Sequence, residues 1–442
     1  YFEVGVIMAK QDEVKRISEL HAIAKEQFLN PVEGFRLRRH ILEIARLRKA
    51  DPIPADEARV MMFLSQKARP YEVRRSMAKL LNARHARDEM DAFREFEAFL
   101  HTRMPADEMF GHSFKTTPFA KLSHENIWDH LRNVMPHLAE RTEGVFLNSG
   151  TLLGVVRNGK LLDHDDDVDL AVILRASSPV EAAQEWRKLC FSLYQAGLAR
   201  LEDQSEGVPK IIKLVSDGGY EIDLFPAWFQ GDDFFVVPHT YGALKRDDVL
   251  PLKTCEVTGL PIPAEPEKML AVNYGASWRI SNPYFVFNWK LANKRFTPYL
   301  KALEEVQVKR AITYGTFDLF HVGHVRLFAR LAKLADEVVV ACSTCEFNQG
   351  KGKKTVLSFE QRVEMLEACR HVTKVIEESN WDQKRSDIVD HGADVFVMGD
   401  DWHGKFDDLS DLCDVLYLPR TKNISTTMLK KGLKKERELA KV

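Results

Sequence analysis

The stretch Tyr314–His324, YGTFDLFHVGH, constrains this chain more than any other. It follows the apolar run RAITY and precedes the amphipathic run VRLFARLAKLAD, so it reads as the turn from a strand into a helix. His321 and His324 then flank Gly323 at a helix N-terminus, where unpaired backbone N–H groups and the helix dipole favour phosphate. Gly323 lets the backbone approach a ligand closely. Imidazoles there, protonated or hydrogen-bonding, can stabilise charge growing on a phosphoryl group. The runs EVVVAC, KVIEES, DVFVMG and VLYLP follow as short apolar strands with amphipathic stretches between most of them. That alternation predicts a parallel sheet with crossover helices.

Cations and hydroxyls recur after the later strands. The loop Asn348–Lys354, NQGKGKK, is expected to supply mobile cations, Lys351 and Lys353 among them. Ser358 and Gln361 form a capping-box pattern that fixes the next helix. After the last strand, RTKNISTT places Arg420 beside Ser425, Thr426 and Thr427, a second helix start suited to phosphate.

Residues 310–430 closely resemble the glycerol-3-phosphate cytidylyltransferases of teichoic-acid biosynthesis, within the wider HxGH nucleotidyltransferase superfamily. The likeness spans YGTFDLFHVGH, the EFN and KGKK loop, NWDQKRSDIVDH, DVFVMGDDWHGKFD and LPRTKNISTT. It departs at Asn423, where the family has glycine; asparagine tolerates positive φ best among the other residues. The resemblance implies that CTP and glycerol 3-phosphate give CDP-glycerol and pyrophosphate, and Mg2+ is expected with the triphosphate on general grounds. His321 and His324 would serve the α-phosphate, while Lys351, Lys353 and Arg420 neutralise phosphates. Ser425, Thr426 and Thr427 would grip the β/γ end, Thr316 and Phe317 would orient nucleotide or substrate, and Trp381 and Asp401 match positions near them. A homodimer through this domain is also implied.

A second constellation lies upstream. LNSGTLLGVVR, with Gly150, Thr151 and Arg157, precedes LLDHDDDVDLAV. Asp165, Asp167 and Asp169 alternate, and a strand read through them would put these carboxylates on one face, a crowding that calls for Mg2+ or Mn2+. Asp223, between Ile222 and Leu224, offers a further ligand. These residues resemble the LicD family, which includes the fukutin-related proteins, through GTLLGVVR, DDDVD and the later YGxxW; His164 stands where the family usually has Trp. The resemblance implies a polymerase-β-like nucleotidyltransferase fold, metal at Asp167, Asp169 and Asp223, and transfer of a phosphorylated alcohol from a CDP carrier to a glycan. A degenerate binding module, or a transferase for another CDP-alcohol, remains open at this point.

The fold class expected is therefore an α/β multidomain chain. A helical region, 1–115, precedes a central α+β nucleotidyltransferase-fold domain, 116–300, and a Rossmann-like parallel-sheet domain, 308–442, with a linker near 285–308. Net charge of −2 gives no global field for nucleic acid, and no apolar run approaches a membrane span. The basic cluster Arg36, Arg38, Arg39, His40, Arg46, Arg48 and Lys49 reads as a solvated helix face or as a dock for an anionic glycan or lipid head group. Six scattered cysteines suggest a reducing compartment, and Cys342–Cys345 reads as a strand end instead of a redox pair. The expected setting is the cytoplasm, at the inner face of the membrane if the glycan acceptor is lipid-linked.

Overall fold

The computed structural model describes residues 2–104, 119–204, 207–282 and 284–439. Among these, the chain opens with helices α1 (Phe2–Leu29), α2 (Leu37–Leu47), α3 (Pro52–Ser65), α4 (Pro70–His85) and α5 (Met90–His101). Pro52 and Pro70 sit in the first turn of α3 and α4, where a missing N–H costs nothing. α3 forms the centre, with Ala58, Met61, Met62 and Phe63 buried against α1, α2 and α4. Arg48 leaves the basic cluster to pair with buried Asp56 at 2.7 Å. The expected junction near residue 115 lies outside the described residues. Tyr284 ties the helical unit to the chain beyond the central sheet: its ring meets Phe93 edge-on and its hydroxyl donates to Glu97.

The central unit is a mixed sheet of β1 (Gly144–Leu147), β2 (Asp167–Ile173), β3 (Ile212–Leu214), β4 (Glu221–Gln230), β5 (Asp233–Val236) and β6 (Thr240–Lys245). Its order is β1-β2-β4-β5-β6, with β3 also on β4. β2 and β4 run parallel in a register that sets Asp169 opposite Asp223 and Asp167 opposite Glu221. Helices α6 (His124–Ala139), α7 (Ser149–Asn158), α8 (Pro179–Gln195) and α9 (Pro266–Tyr274) accompany it, with a small ribbon of β7 (Lys253–Thr254) and β8 (Pro261–Ile262). Residues 285–308 are not a free connection. They hold α10 (Trp289–Arg295) and α11 (Thr297–Glu305), and α11 packs on α8 with Tyr299, Ala302 and Leu303 buried.

The C-terminal unit is the expected parallel sheet: β9 (Val308–Gly315), β10 (Ala335–Ser343), β11 (Lys374–Glu378), β12 (Val395–Gly399) and β13 (Asp414–Leu418), in the order β11-β10-β9-β12-β13. All its ladders are parallel. Five helices join it: α12 (Val322–Leu334), α13 (Cys345–Gly350), α14 (Phe359–Glu367), α15 (Gln383–Asp390) and α16 (Thr426–Leu439). The chain leaves β9 toward β10 and β11 and returns on the other side as β12 and β13, so strand order switches between β9 and β12. Open α/β sheets bind ligands at that point, beyond the carboxyl ends of the strands.

Central and C-terminal units are riveted together. Arg187 on α8 pairs with Asp414 at 2.6 Å and donates to the carbonyls of Val306 and Asp394. Lys333, in the last turn of α12, donates to the Glu202 carbonyl at 2.7 Å and accepts from the Gly207 N–H at 2.6 Å through its own carbonyl. Gln307 closes the joint by accepting the Val208 N–H at 2.6 Å.

Candidate active site

A cavity of about 480 Å³ opens at the switch point of the parallel sheet. Every C-terminal residue expected from the sequence to bind nucleotide or substrate, from Thr316 to Thr427, lines it. At its floor His321 caps α12. Its Nδ1 accepts the Gly323 N–H at 3.1 Å, while the His321 N–H is directed at His324 Nδ1 at 3.4 Å. The two rings stack, centroids 3.8 Å apart and planes 21° from parallel. With both Nδ1 atoms accepting, each neutral imidazole carries its proton on Nε2. His321 Nε2 reaches Thr426 Oγ1 at 3.3 Å. A Cβ on residue 323 would lie within 3.0 Å of the His321 ring, so glycine is what allows the pair to close.

Burial pushes both imidazole pKa values down, His324 to about 3, where the neighbouring His321 adds to the effect. Both shifts favour the uncharged, hydrogen-bonding form over imidazolium. Phe317, held at φ +50°, packs edge-on against the His324 ring, and Phe320 lies against it as well.

The cationic rim differs from the sequence reading in one respect. Lys351 is anchored, because its ammonium lies 3.0 Å from Ser343 Oγ, 3.3 Å from Glu378 and over the Phe347 ring. Lys353 is exposed at the rim. Trp381 stands between Phe347 and Trp402. Arg420 pairs with Asp401 at 3.0 Å. Ser425 Oγ accepts the Met428 N–H at 3.2 Å, starting α16. Asn423 takes φ +63°, the conformation a glycine would supply.

Other residues of this site escaped the sequence reading. Glu378 is buried between Lys351 and Lys384, which lies 2.9 Å away, and accepts from Ser343 Oγ. Arg362, wholly buried, donates to the carbonyls of Thr316 and Ser343 at 2.7 Å and braces the loop after β9. Thr316 Oγ1 itself donates to Asn348 at 2.7 Å. Asp318 accepts the N–H groups of Val356 and Leu357 and pairs with Lys430. The signal for Asp318 was present, since it stands inside the TFDLFH motif.

In the central unit, carboxylate oxygens of Asp165, Asp166 and Asp167 lie within 4.8 Å of one another, a set of hard donors that fits Mg2+ or Mn2+. Asp165 and Asp166 lie between the turn at 163–164 and the start of β2, so the alternating-strand reading holds only from Asp167 onward. Asp169 accepts the Gly150 N–H at 2.8 Å, and its own N–H donates to Thr151 Oγ1 at 2.9 Å. A Cβ at Gly150 would meet Asp165 Oδ2 at 2.7 Å. Asp223 lies 3.4 Å from Lys213. Arg157 donates to the Trp278 carbonyl at 3.3 Å, joining the GTLLGVVR and YGxxW motifs. Tyr274, within reach of Asp169, Asp165 and Asp167, keeps its phenol proton because it is buried, with those three charges adding to the effect.

An HxGH pair at the switch point of a five-stranded parallel sheet defines a nucleotidyltransferase site, and residues 312–432 match the family model Cytidylyltransferase-like. Residues 144–266 match LicD/FKTN/FKRP, nucleotidyltransferase domain. Over 126 residues the chain is 58% identical to the glycerol-3-phosphate cytidylyltransferase of Bacillus subtilis strain 168, covering 28% of this chain and 98% of that protein. The enzymes of the same name from Bacillus spizizenii and Staphylococcus aureus are 54% and 52% identical over the same length, covering 28% of this chain and 98% and 96% of those proteins. Through this unit the chain belongs to the glycerol-3-phosphate cytidylyltransferase family, and upstream of it carries a LicD-type domain.

Proposed function

We propose that the chain is a bifunctional enzyme. Its C-terminal unit makes CDP-glycerol and pyrophosphate from CTP and glycerol 3-phosphate. Its central unit passes glycerol phosphate from CDP-glycerol to a cell-surface glycan, of capsular or teichoic type, and releases CMP. The observation that carries the first half is the stacked His321–His324 pair inside a cation-rimmed cavity.

A phosphate oxygen of glycerol 3-phosphate attacks the α-phosphorus of CTP in line, and the bond to the β-phosphate oxygen breaks. No protein nucleophile is needed, so catalysis is positioning and charge stabilisation. The Nε2–H groups donate to the α-phosphate oxygens as charge gathers there. Lys351, Lys353 and Arg420 neutralise the phosphates, while Ser425, Thr426 and Thr427 hold the departing pyrophosphate end. Trp381 and Asp401 border glycerol phosphate and nucleotide.

In the central unit Asp165, Asp166 and Asp167 would hold Mg2+, with Asp169 and Asp223 on adjacent strands beside them. Bound there, the ion supplies charge for the donor diphosphate and its leaving CMP. Gly150 and Thr151 keep Asp169 in place, and a carboxylate of the group accepts the acceptor hydroxyl proton. A lipid-linked glycan would bring the chain to the inner face of the membrane; among the described residues no helix is long and apolar enough to cross one. A homodimer through the C-terminal unit is part of the same reading.

Incubating the full chain with CTP, glycerol 3-phosphate and Mg2+ should yield CDP-glycerol by mass. Supplying CDP-glycerol, CDP-ribitol and CDP-choline in parallel and following CMP tests the second half. Asp167→Asn should abolish CMP release and spare CDP-glycerol synthesis; equal loss of both would contradict a separate central site.

A further inference from the structure

Arg74 belongs to α4 of the helical unit, yet the carboxylates acting on it include Asp165, Asp166 and Asp167 of the central unit. Its Nε is shut off from water and has no hydrogen-bond partner among the described residues. Arg59 and Arg84 share a buried, unpartnered Nε, but their terminal nitrogens pair with Glu72 and Glu57, as Arg48 pairs with Asp56. Arg74 makes no such pair among the described residues, although acidic groups are near enough to be felt. Burial counts against its charge more than those groups favour it, yet arginine does not give up its proton. A buried cation held short of its counter-charges is costly unless something fills the gap.

A second orphan borders the same cluster. Asn148 donates its backbone N–H to the Asp169 carbonyl at 3.0 Å, but its side chain is wholly buried with neither amide atom partnered among the described residues. It immediately precedes Ser149, which enters α7 at φ +41°. The Arg74 guanidinium is thus within electrostatic reach of the acidic group, and the idle amide leads into the helix whose Gly150 N–H binds Asp169. A metal-borne diphosphate has the charge for the first and oxygen acceptors for the other two, and a planar guanidinium fork matches it.

We infer that Arg74 binds the diphosphate of a cytidine-diphosphate alcohol at the central site, so that the helical unit completes that site. This rests on the transfer reading proposed above. It gives the N-terminal helices a role in donor recognition, which their periodicity alone did not disclose.

The test is equilibrium binding of labelled CDP-glycerol to the full chain in Mg2+, counting sites. The wild-type chain should hold two per chain, one at each reaction centre. Arg74→Met and Arg74→Gln should weaken one of them about 10- to 100-fold, as expected for losing a charge-assisted contact. The other site and CDP-glycerol synthesis should be unchanged, and thermal melting checks that each variant is folded. Two sites of wild-type affinity in either folded variant overturn the role of Arg74 and leave the transfer reading standing. A single site in the wild-type chain overturns the transfer reading itself, and the inference with it.

Discussion

Lys430 pairs with Asp318 at 2.7 Å, so the terminal helix α16 is fastened to the loop that carries the histidine pair. The same carboxylate accepts the N–H groups of Val356 and Leu357, which end the lysine-rich loop. Three segments distant in sequence therefore share one buried anion at the edge of the nucleotide cavity.

That arrangement predicts an acid-side stability loss. Burial works against the Asp318 charge, but Lys430 and the two amides outweigh it and hold the carboxyl below its usual range. The stabilisation is full above the unfolded carboxylate value of about 4 and fades as pH falls through the folded value. Asp318→Asn should melt earlier than wild type at neutral pH, with the gap narrowing in acid, and should raise KM for CTP. Melting curves across pH, with steady-state kinetics, check both.

Because the imidazole pKa values are lowered, His321 and His324 should be neutral donors between pH 7 and 8. Their titration should leave no rising limb toward acid in kcat across that window. His324→Ala should cut kcat by about 100- to 1000-fold, the range for removing one aimed donor at a developing charge. A rate that climbs on acidification would mean that imidazolium is the working form.

Glu378 sits buried between two lysines, and Glu378→Gln would leave both without their counter-charge. The expected cost is about 3 kcal/mol, measured by chemical denaturation. Activity should fall as well, since Lys351 and Lys384 both line the cavity.

Gly150→Ala forces a methyl group to 2.7 Å from Asp165 and 3.2 Å from Asp169. Mn2+ affinity, followed by electron paramagnetic resonance, should drop by about tenfold or more, in line with disturbed ligand support. CDP-glycerol synthesis should stay intact. Unchanged Mn2+ binding would place the metal elsewhere.

The sequence disclosed what local chemistry writes plainly. Strands such as DVFVMG are continuous apolar runs bounded by turns, the mark of a sheet buried on both faces, and β12 follows them. Asn423 was legible because few residues accept a left-handed turn. Glu378, Lys384 and Arg362 were not legible. Each is a charge within amphipathic surroundings, and only tertiary contact turns such a residue inward as a brace. Asp165 misled in the opposite sense: alternation set it on one strand face with Asp167 and Asp169, while it lies between the turn at 163–164 and the start of β2. Helices α10 and α11 went unseen because they are short, and the burial of α11 depends on α8.

Arg187 spends one guanidinium on Asp414 and on carbonyls of two further segments, leaving the joint between the units no slack for a swinging arm. If the central unit uses CDP-glycerol as proposed, the nucleotide released at one centre would reach the other by diffusion, exposed on the way to any rival that consumes it. An added scavenger of CDP-glycerol would intercept that traffic in proportion to its concentration, and tethering on one polypeptide would confer proximity without privacy.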